Sequence, residues 1–514
     1  MHRGEVNFVL GIDVGTTSVK SVLLNHEGVS VASETKEYTL DMGPNDICEV
    51  PPEVYWNITC QVIRELLFAT KINPELVKGL AFSSQGETLI VVDDSGKPLR
   101  KAIVWLDNRS TAEAREIEQK FGSQHIMDIT GQPEVLPIWP ATRILWFKKN
   151  EPETFRKAHK YLLVEDYLLY KMTGKYQTEQ SLASSTLYFD IVKKTWWPEM
   201  LEFLEISASQ LPEVNPSGIS IGTITPEAAK KTGLSINTQC VTGAYDHPAG
   251  AIGAGSIHSG DVTLTIGTSM AMCVSMDKPI ANLALKLPCQ CHAVNGLYFL
   301  LPYGQTAGMV LRWFRDEFCS NEMLQAQRED ADPYDLMIEK AKKIPAGADG
   351  LIMLPHLMGA GSPEYNTEAK GVFEGIKMGM TKAHFIRAIL ESVVCMVNKN
   401  IQIVRGEGII IRDIHVLGGG SKSRLWVQIL ADMTGIPVHT LMISENAATG
   451  AALLAGVGTK LFANLNAACQ VSVKSHTLIE PDLKMHEQYK TTYKKYIELY
   501  NSLEPYWCKI DTPM

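Results

Sequence analysis

The stretch Phe8-Val-Leu-Gly-Ile-Asp13-Val-Gly15-Thr16-Thr17-Ser18-Val-Lys20-Ser-Val-Leu-Leu24 decides how the rest of this chain is read. An apolar run ends in an aspartate, a Gly-Thr-Thr turn follows, and a second apolar run opens with a lysine. Val, Leu and Ile on both flanks predict a β-hairpin with a polar turn. Gly15 lets the backbone approach a ligand, and the hydroxyls of Thr16, Thr17 and Ser18 can donate hydrogen bonds. Lys20 adds positive charge, and Asp13 can hold a divalent cation such as magnesium, directly or through water. The stretch reads as a phosphate-and-magnesium site on a hairpin, against the plainer alternative of an ordinary hairpin with a Gly-Thr turn. It is not a P-loop: Gly-x4-Gly-Lys-Ser/Thr leading into a helix occurs nowhere in the chain.

An echo lies downstream. Leu264-Thr-Ile266-Gly267-Thr268-Ser269-Met-Ala-Met-Cys-Val repeats the design, with a threonine in the place of Asp13. Two Gly-Thr hairpins half a chain apart predict two related domains closing on one nucleotide, with only the first offering a carboxylate to the metal.

Length and composition agree. A chain of 514 residues is too long for one ordinary core, and 45% hydrophobic with 20% charged residues describes a globular protein. A net charge of −9 argues against nucleic acid or an anionic membrane as partner. No apolar run reaches the length of a membrane span, and Met-His-Arg-Gly-Glu at the start lacks a signal-peptide pattern. The ten cysteines show no disulfide-scaffold spacing, so reduced thiols and a cytoplasmic location are expected. Cys289-Gln-Cys291-His292 is half a metal site without a second Cys/His pair.

Punctuation along the chain predicts strands up to about Tyr38, a helix around Pro52–Lys71, and a buried strand over Val77–Phe82. A hairpin of Leu89–Asp93 with Ala102–Trp105 is expected around Asp94-Ser-Gly96-Lys-Pro98. Helical segments should then fill most of Thr111–Leu204. The first domain is set at residues 1–255 and the second at 256–514, joined by a tight hinge near residues 253–260.

Several clusters carry candidate chemistry. Asp246 follows the β-like run Gln239-Cys-Val-Thr-Gly-Ala and precedes Pro248 in a small-residue stretch, which puts it at a helix N-terminus. It reads either as a capping aspartate or as a general base accepting the proton of a substrate hydroxyl that attacks a γ-phosphate. Gln85-Gly86-Glu87-Thr88 ends the buried strand, where ligand sites of α/β domains gather, and Glu87 could accept hydrogen bonds from vicinal hydroxyls. The loop Trp105-Leu-Asp107-Asn108-Arg109 could do the same, or hold only an Asp107–Arg109 contact. Gly418-Gly419-Gly420-Ser421-Lys-Ser423 precedes a helix at Trp426–Thr434 and could receive adenosine or phosphate. Gly308 opens a largely structural helix at a point that can touch the nucleotide. Trp139 reads as an apolar wall for a sugar or as core.

In combination, Asp13-x-Gly-Thr-Thr, Gln85-Gly-Glu, Trp105-x-Asp-x-Arg109, Asp246, Ile266-Gly-Thr-Ser, Gly418-Gly-Gly and Glu445-Asn-Ala-Ala-Thr-Gly-Ala-Ala-Leu-Leu-Ala resemble the FGGY family of carbohydrate kinases. The resemblance runs from about Phe8 to Leu461. It implies an α/β, two-domain, actin-like (ribonuclease-H-like) fold with the active site in the interdomain cleft, and ATP and Mg2+ as cofactors. It also implies that Asp246 is the catalytic base, that Thr16, Thr17, Lys20 and Thr268 contact phosphates, and that Gly308, Gly419 and Ser423 lie near the adenosine. Gly15 and Gly267 are the hairpin glycines.

For the substrate, length and the stretch Ile344–Pro355 resemble xylulokinase-type members. Those members carry Met-His after the glutamine matching Gln85, where this chain has Gly86-Glu87. His247 stands where glycerol kinases have glutamine and xylulokinases asparagine. A ketopentose such as xylulose is expected first, bound by Gln85, Gly86, Glu87, Arg109 and His247. A polyol or sugar acid (glycerol, erythritol or gluconate type) stands behind it, and an actin-like ATPase without sugar substrate is the remote alternative. No nucleic acid or membrane partner is expected, and a homodimer is left open.

Overall fold

The computed structural model describes residues 6–44, 47–441, 445–473 and 475–510. Two sheets organise it. The first runs in the order β5-β6-β4-β1-β2-β3, where β1 is Phe8–Val14, β2 Ser18–Asn25, β3 Ser30–Glu37, β4 Val77–Ser84, β5 Ser220–Thr223 and β6 Gln239–Tyr245. β1, β2 and β3 pair antiparallel, while β4 lies parallel to both β1 and β6.

The second sheet has the order β9-β10-β8-β7-β11-β12-β13. Its strands are β7 (Asp261–Ile266), β8 (Met270–Met276), β9 (Cys289–Cys291), β10 (Tyr298–Leu300), β11 (Asp413–Leu417), β12 (Val438–Leu441) and β13 (Ser475–Ile479). β7 and β8 form the second hairpin, and β11 lies parallel to β7 and β12. The path β3-β2-β1-β4-β6 in the first sheet therefore matches β10-β8-β7-β11-β12 in the second. The repeat seen in the two Gly-Thr turns extends to whole sheets.

Period-two alternation distributes β1 between two cores. Leu10, Ile12 and Val14 pack with Tyr55, Val62, Ile63 and Leu66 of helix α1 (Pro52–Thr70). On the opposite face, Val9 packs beneath helix α7 (Asn446–Gly458), together with Val22 and Ala81 of neighbouring strands. Gly11 belongs to this face, and a Cβ there would stand 1.8 Å from the carbonyl oxygen of Ala448, so no other residue allows the helix to lie so close. The next residue on this face is Asp13, just beyond the helix N-terminus. Helix α3 (Asp246–Gly253) leaves β6 directly and crosses α7.

The intervening region supplies a third core built on Ala141, Ile144, Leu145 and Phe147 of helix α2 (Pro140–Asn150). The second sheet is covered by α4 (Gly308–Phe318), α5 (Lys382–Gly406), α6 (Arg424–Thr434) and the C-terminal helix Leu483–Ile510. Burying a Val, Leu or Ile side chain contributes about 1.5–3 kcal/mol, so these faces set the positions of the strand ends between them.

One expected element is different. The turn around Asp94–Pro98 forms, but the hairpin is reduced to two isolated bridges, Val92 to Pro98 and Leu89 to Ile103, while Ile90–Val92 pairs antiparallel as a strand with Lys160–Leu162. Ala102–Ile103 instead pairs with Cys48–Val50. All ten cysteines are free thiols, and Cys289 and Cys291 sit in a buried strand. Among the described residues no helix is long and apolar enough to cross a membrane.

Candidate active site

The carboxyl ends of β1, β4 and β6 converge, as ligand sites of parallel sheets do. Asp13 closes β1, opposite Lys20 in the hairpin register, and its Oδ1 accepts a hydrogen bond from the Ser83 hydroxyl at 2.9 Å. In the turn, the Gly15 amide donates to the Ser18 carbonyl at 3.0 Å. Tyr38 fastens the turn from outside, its hydroxyl donating to the Gly15 carbonyl and its amide to the Thr17 carbonyl. The Trp105 indole donates to the Thr16 hydroxyl at 2.9 Å, so the loop after the Leu89–Ile103 bridge touches the phosphate hairpin. Lys20 pairs at 2.9 Å with Glu445, the residue before α7.

Asp246 is the first residue of α3, as expected for a residue preceding Pro248. Its side chain is 36% exposed, but Oδ1 itself is buried and has no hydrogen-bond partner among the described residues, with His247 Nε2 3.8 Å away. Enclosure in the cleft raises its pKa, with His247 pulling the other way. Asp13 is pushed up to about 7 by burial and then by the charge of Asp246, against Ser83 and Lys20. Glu87 is pushed up to about 8 by burial and again by Asp246, against Arg143 and Ser185. Three carboxyls thus share one field. Glu87 holds φ +57°, a left-handed conformation uncommon for a side chain of its kind. Gln85 donates to the Tyr55 hydroxyl at 3.0 Å and leaves its Oε1 unpartnered.

Two sequence expectations resolve toward structure. The Arg109 guanidinium reaches both oxygens of Asp107, at 2.8 and 2.7 Å, and Glu49 at 2.6 Å, and lies over the Trp146 ring. Its charge is therefore met before any substrate arrives. Trp139 is core, 6% exposed, with its indole donating to the Glu134 carbonyl.

The second hairpin is held differently. The amides of Ala307 and Met309 donate to the Thr268 carbonyl and that of Gly308 to the Gly267 carbonyl, at 3.0, 3.2 and 2.8 Å. A Cβ on Gly308 would lie 2.5 Å from the Gly267 oxygen, which is why a glycine opens α4. Gly267, Thr268, Gly308, Gly419 and Ser423 all line one cavity of about 620 Å3. Ser423 caps α6 by accepting from the Trp426 amide. Arg312, Tyr334 and Asp335 also line this cavity and had no motif to announce them, although Arg312 lies one turn after Gly308 on α4.

Similar proteins fit this geometry. The family model for the N-terminal domain of the FGGY family of carbohydrate kinases matches residues 8–253, and that for the C-terminal domain matches residues 262–459. Over 495 residues the chain is 30% identical to the xylulose kinase of Bacillus subtilis, covering 96% of this chain and 97% of that one. It is 31% identical to the gluconokinase of the same bacterium, covering 98% of both. The crystal structure of xylulose kinase from Rhodospirillum rubrum superposes with a TM-score of 0.89 at 27% identity, over 98% of this chain and all of that one. Two sheets of one topology, a carboxylate cleft at the end of the first and a nucleotide-sized cavity at the end of the second accompany both matches, and the chain belongs to the FGGY family of carbohydrate kinases, phosphotransferases with an alcohol group as acceptor.

Proposed function

We propose that this ATP-dependent sugar kinase phosphorylates a hydroxyl of a ketopentose of the xylulose type, with Asp246 as general base. Family membership leaves no ground for an actin-like ATPase without sugar substrate. The observation that carries the reading is the free Asp246 Oδ1 at the head of α3, beside Asp13 and within the field of Glu87. A carboxylate whose pKa is raised toward the working pH is a better proton acceptor than a solvated one. It takes the hydroxyl proton as the oxygen attacks the γ-phosphorus, and ADP leaves from the opposite side.

The residues assigned to the phosphates are Gly15, Thr16, Thr17, Lys20, Gly267 and Thr268. Gly308, Gly419 and Ser423 are assigned to the adenosine, which the 620 Å3 cavity is large enough to hold. Gln85, Gly86, Glu87 and His247 are assigned to the sugar, and Arg109 to the wall behind it. We divide the chain into domains at residue 255, with α7 crossing back onto the first sheet.

Asp13 is assigned to Mg2+. A buried carboxyl whose pKa is raised by the charge of a neighbouring one, the neighbour keeping an unpartnered oxygen, forms a donor set that a cation would relieve. Among the described residues no three His, Cys, Asp or Glu side chains make a complete cage, which suits an ion shared with nucleotide phosphates. When bound, Mg2+ would neutralise charge on the terminal phosphates. A reducing, cytoplasmic setting accords with ten free thiols.

A sugar acid is the second reading, favoured by Glu87: with a pKa of about 8 its carboxyl can stay protonated at neutral pH and donate to a substrate carboxylate. ADP release measured with D-xylulose, D-gluconate, glycerol and erythritol separates the two. The highest kcat/KM is expected for D-xylulose. A higher value for D-gluconate would install the second reading, and turnover of none of the four would overturn both.

A further inference from the structure

Arg143 belongs to no motif. It sits on α2 with 0% exposure, and among the described residues its guanidinium pairs with no carboxylate. All its hydrogen bonds go to backbone carbonyls. Nη1 donates to Glu87 at 2.5 Å and Ile103 at 3.2 Å; Nη2 donates to Val104 at 2.8 Å and Asp107 at 3.2 Å. Burial without a direct counter-ion lowers its own pKa to about 10, with the charges of Asp107 and Glu87 acting in its favour. Such a cation is costly to keep, and leucine or methionine would fill the space more cheaply.

What the guanidinium holds explains its place. Its two terminal nitrogens tie two loops together: Nη1 bridges Gln85–Thr88 and Ile103–Arg109, and Nη2 holds the second loop twice more. Glu87 sits at φ +57°, and its carbonyl is pinned by Arg143 while its side chain meets Ser185. In the second loop Asp107 is fully buried and accepts from the Cys48 amide at 2.7 Å. The loops are also tied directly, the Trp105 amide donating to the Thr88 hydroxyl at 3.2 Å. A planar fork can hold carbonyls of both loops at a fixed angle, and an ammonium cannot.

We propose that Arg143 is a positioning residue for sugar recognition: without meeting the substrate, it holds the Glu87 and Val104–Asp107 carbonyls so that the Glu87 carboxyl faces the sugar correctly. The proposal rests on the reading that Glu87 contacts the sugar.

The test compares wild type, Arg143→Lys, Glu87→Gln and the double variant in steady state, with D-xylulose, D-gluconate and glycerol as probes. Arg143→Lys should raise KM for the best probe about tenfold and leave KM for ATP within about twofold. Because it acts through Glu87, the double variant should be no worse than Glu87→Gln alone. Wild-type sugar KM in Arg143→Lys, equal losses for sugar and ATP, or multiplied losses in the double variant would each overturn it. If Glu87→Gln leaves sugar KM unchanged while Arg143→Lys raises it, the Glu87 contact fails and the proposal with it. Should Arg143→Lys not fold, Thr88→Val cuts the direct tie between the same loops without disturbing the buried cation. It should show the same sugar-selective, non-multiplying loss, and a wild-type KM there would equally overturn the proposal.

Discussion

The two Gly-Thr hairpins descend from one pattern and are held in different ways. The first adds side chains to the main-chain amides of Tyr38 and Gln85: Tyr38 and Trp105 on the turn, Ser83 on Asp13 and Glu445 on Lys20. The second is fastened by main-chain amides of Ala307, Gly308 and Met309, and where the first has Asp13 it has the exposed Thr265. The first is crowded with ionisable groups, and the second opens on a cavity. A turn clamped by amides offers space and shape. A turn clamped by charged and hydroxyl side chains offers groups that change protonation. On the proposed function, the repeated fold places the room for the nucleotide in its second half and the ionisable groups in its first.

The strongest way to break this contrast is on the charged side. Asp246→Asn should lower kcat by about 10²–10⁴-fold while calorimetry shows nearly unchanged ATP affinity. Retention of most turnover at saturating sugar and ATP would end its role as base. Asp13→Ala should cost about tenfold to a hundredfold in kcat and move the magnesium dependence to higher concentration. A titration of rate against magnesium that overlays wild type would remove Asp13 from the metal.

Glu87→Gln should lower kcat/KM for the sugar by roughly tenfold or more, the scale of a hydrogen bond to a charged group, with KM for ATP little changed. The pH profile sharpens this. If Glu87 accepts from sugar hydroxyls, KM should fall as pH passes about 8; if it donates to a sugar acid, KM should rise there. Either inflection should vanish in the variant.

On the other hairpin, Thr268→Val should weaken ATP binding only about fivefold, the net worth of one hydroxyl contact, and should leave magnesium dependence alone. The smallest effect concerns stability. In the unfolded chain Asp13 and Glu87 lose their protons near pH 4, whereas in the folded protein they do so at about 7 and 8. Between those values the folded protein holds more protons, so stability should fall as pH rises from about 5 to 8. Melting curves of the ligand-free protein should show a Tm lower by a few degrees at the upper end, with a shallower slope in Glu87→Gln.

The sequence announced those parts whose cause is local. The apolar runs of β1 and β2, the Gly-Thr turns, Asp246 before Pro248, and Ser423 before α6 each declare themselves within about ten residues, and each stands where expected. Pairing at a distance did not announce itself. Ile90–Val92 makes the turn expected after it, yet its ladder is with Lys160–Leu162, a partner some seventy residues away that packs into the core around α2. Arg143 carries no local signal at all, since its four acceptors come from two loops dozens of residues upstream. Arg109, by contrast, carried its partner two positions away in Asp107.

The seating of α7 on the first sheet has a consequence for how the chain is made. Val9, Val22 and Ala81 are covered by Ala451, Ala452 and Leu454, so the first sheet lacks one of its two faces until residue 458 has been synthesised. At about 5–20 residues per second, an emerging chain would wait on the order of ten seconds or more with that apolar face uncovered. Until then the N-terminal half carries an uncovered apolar face, and a chain released anywhere before Asn446 is expected to aggregate more readily than the full-length protein.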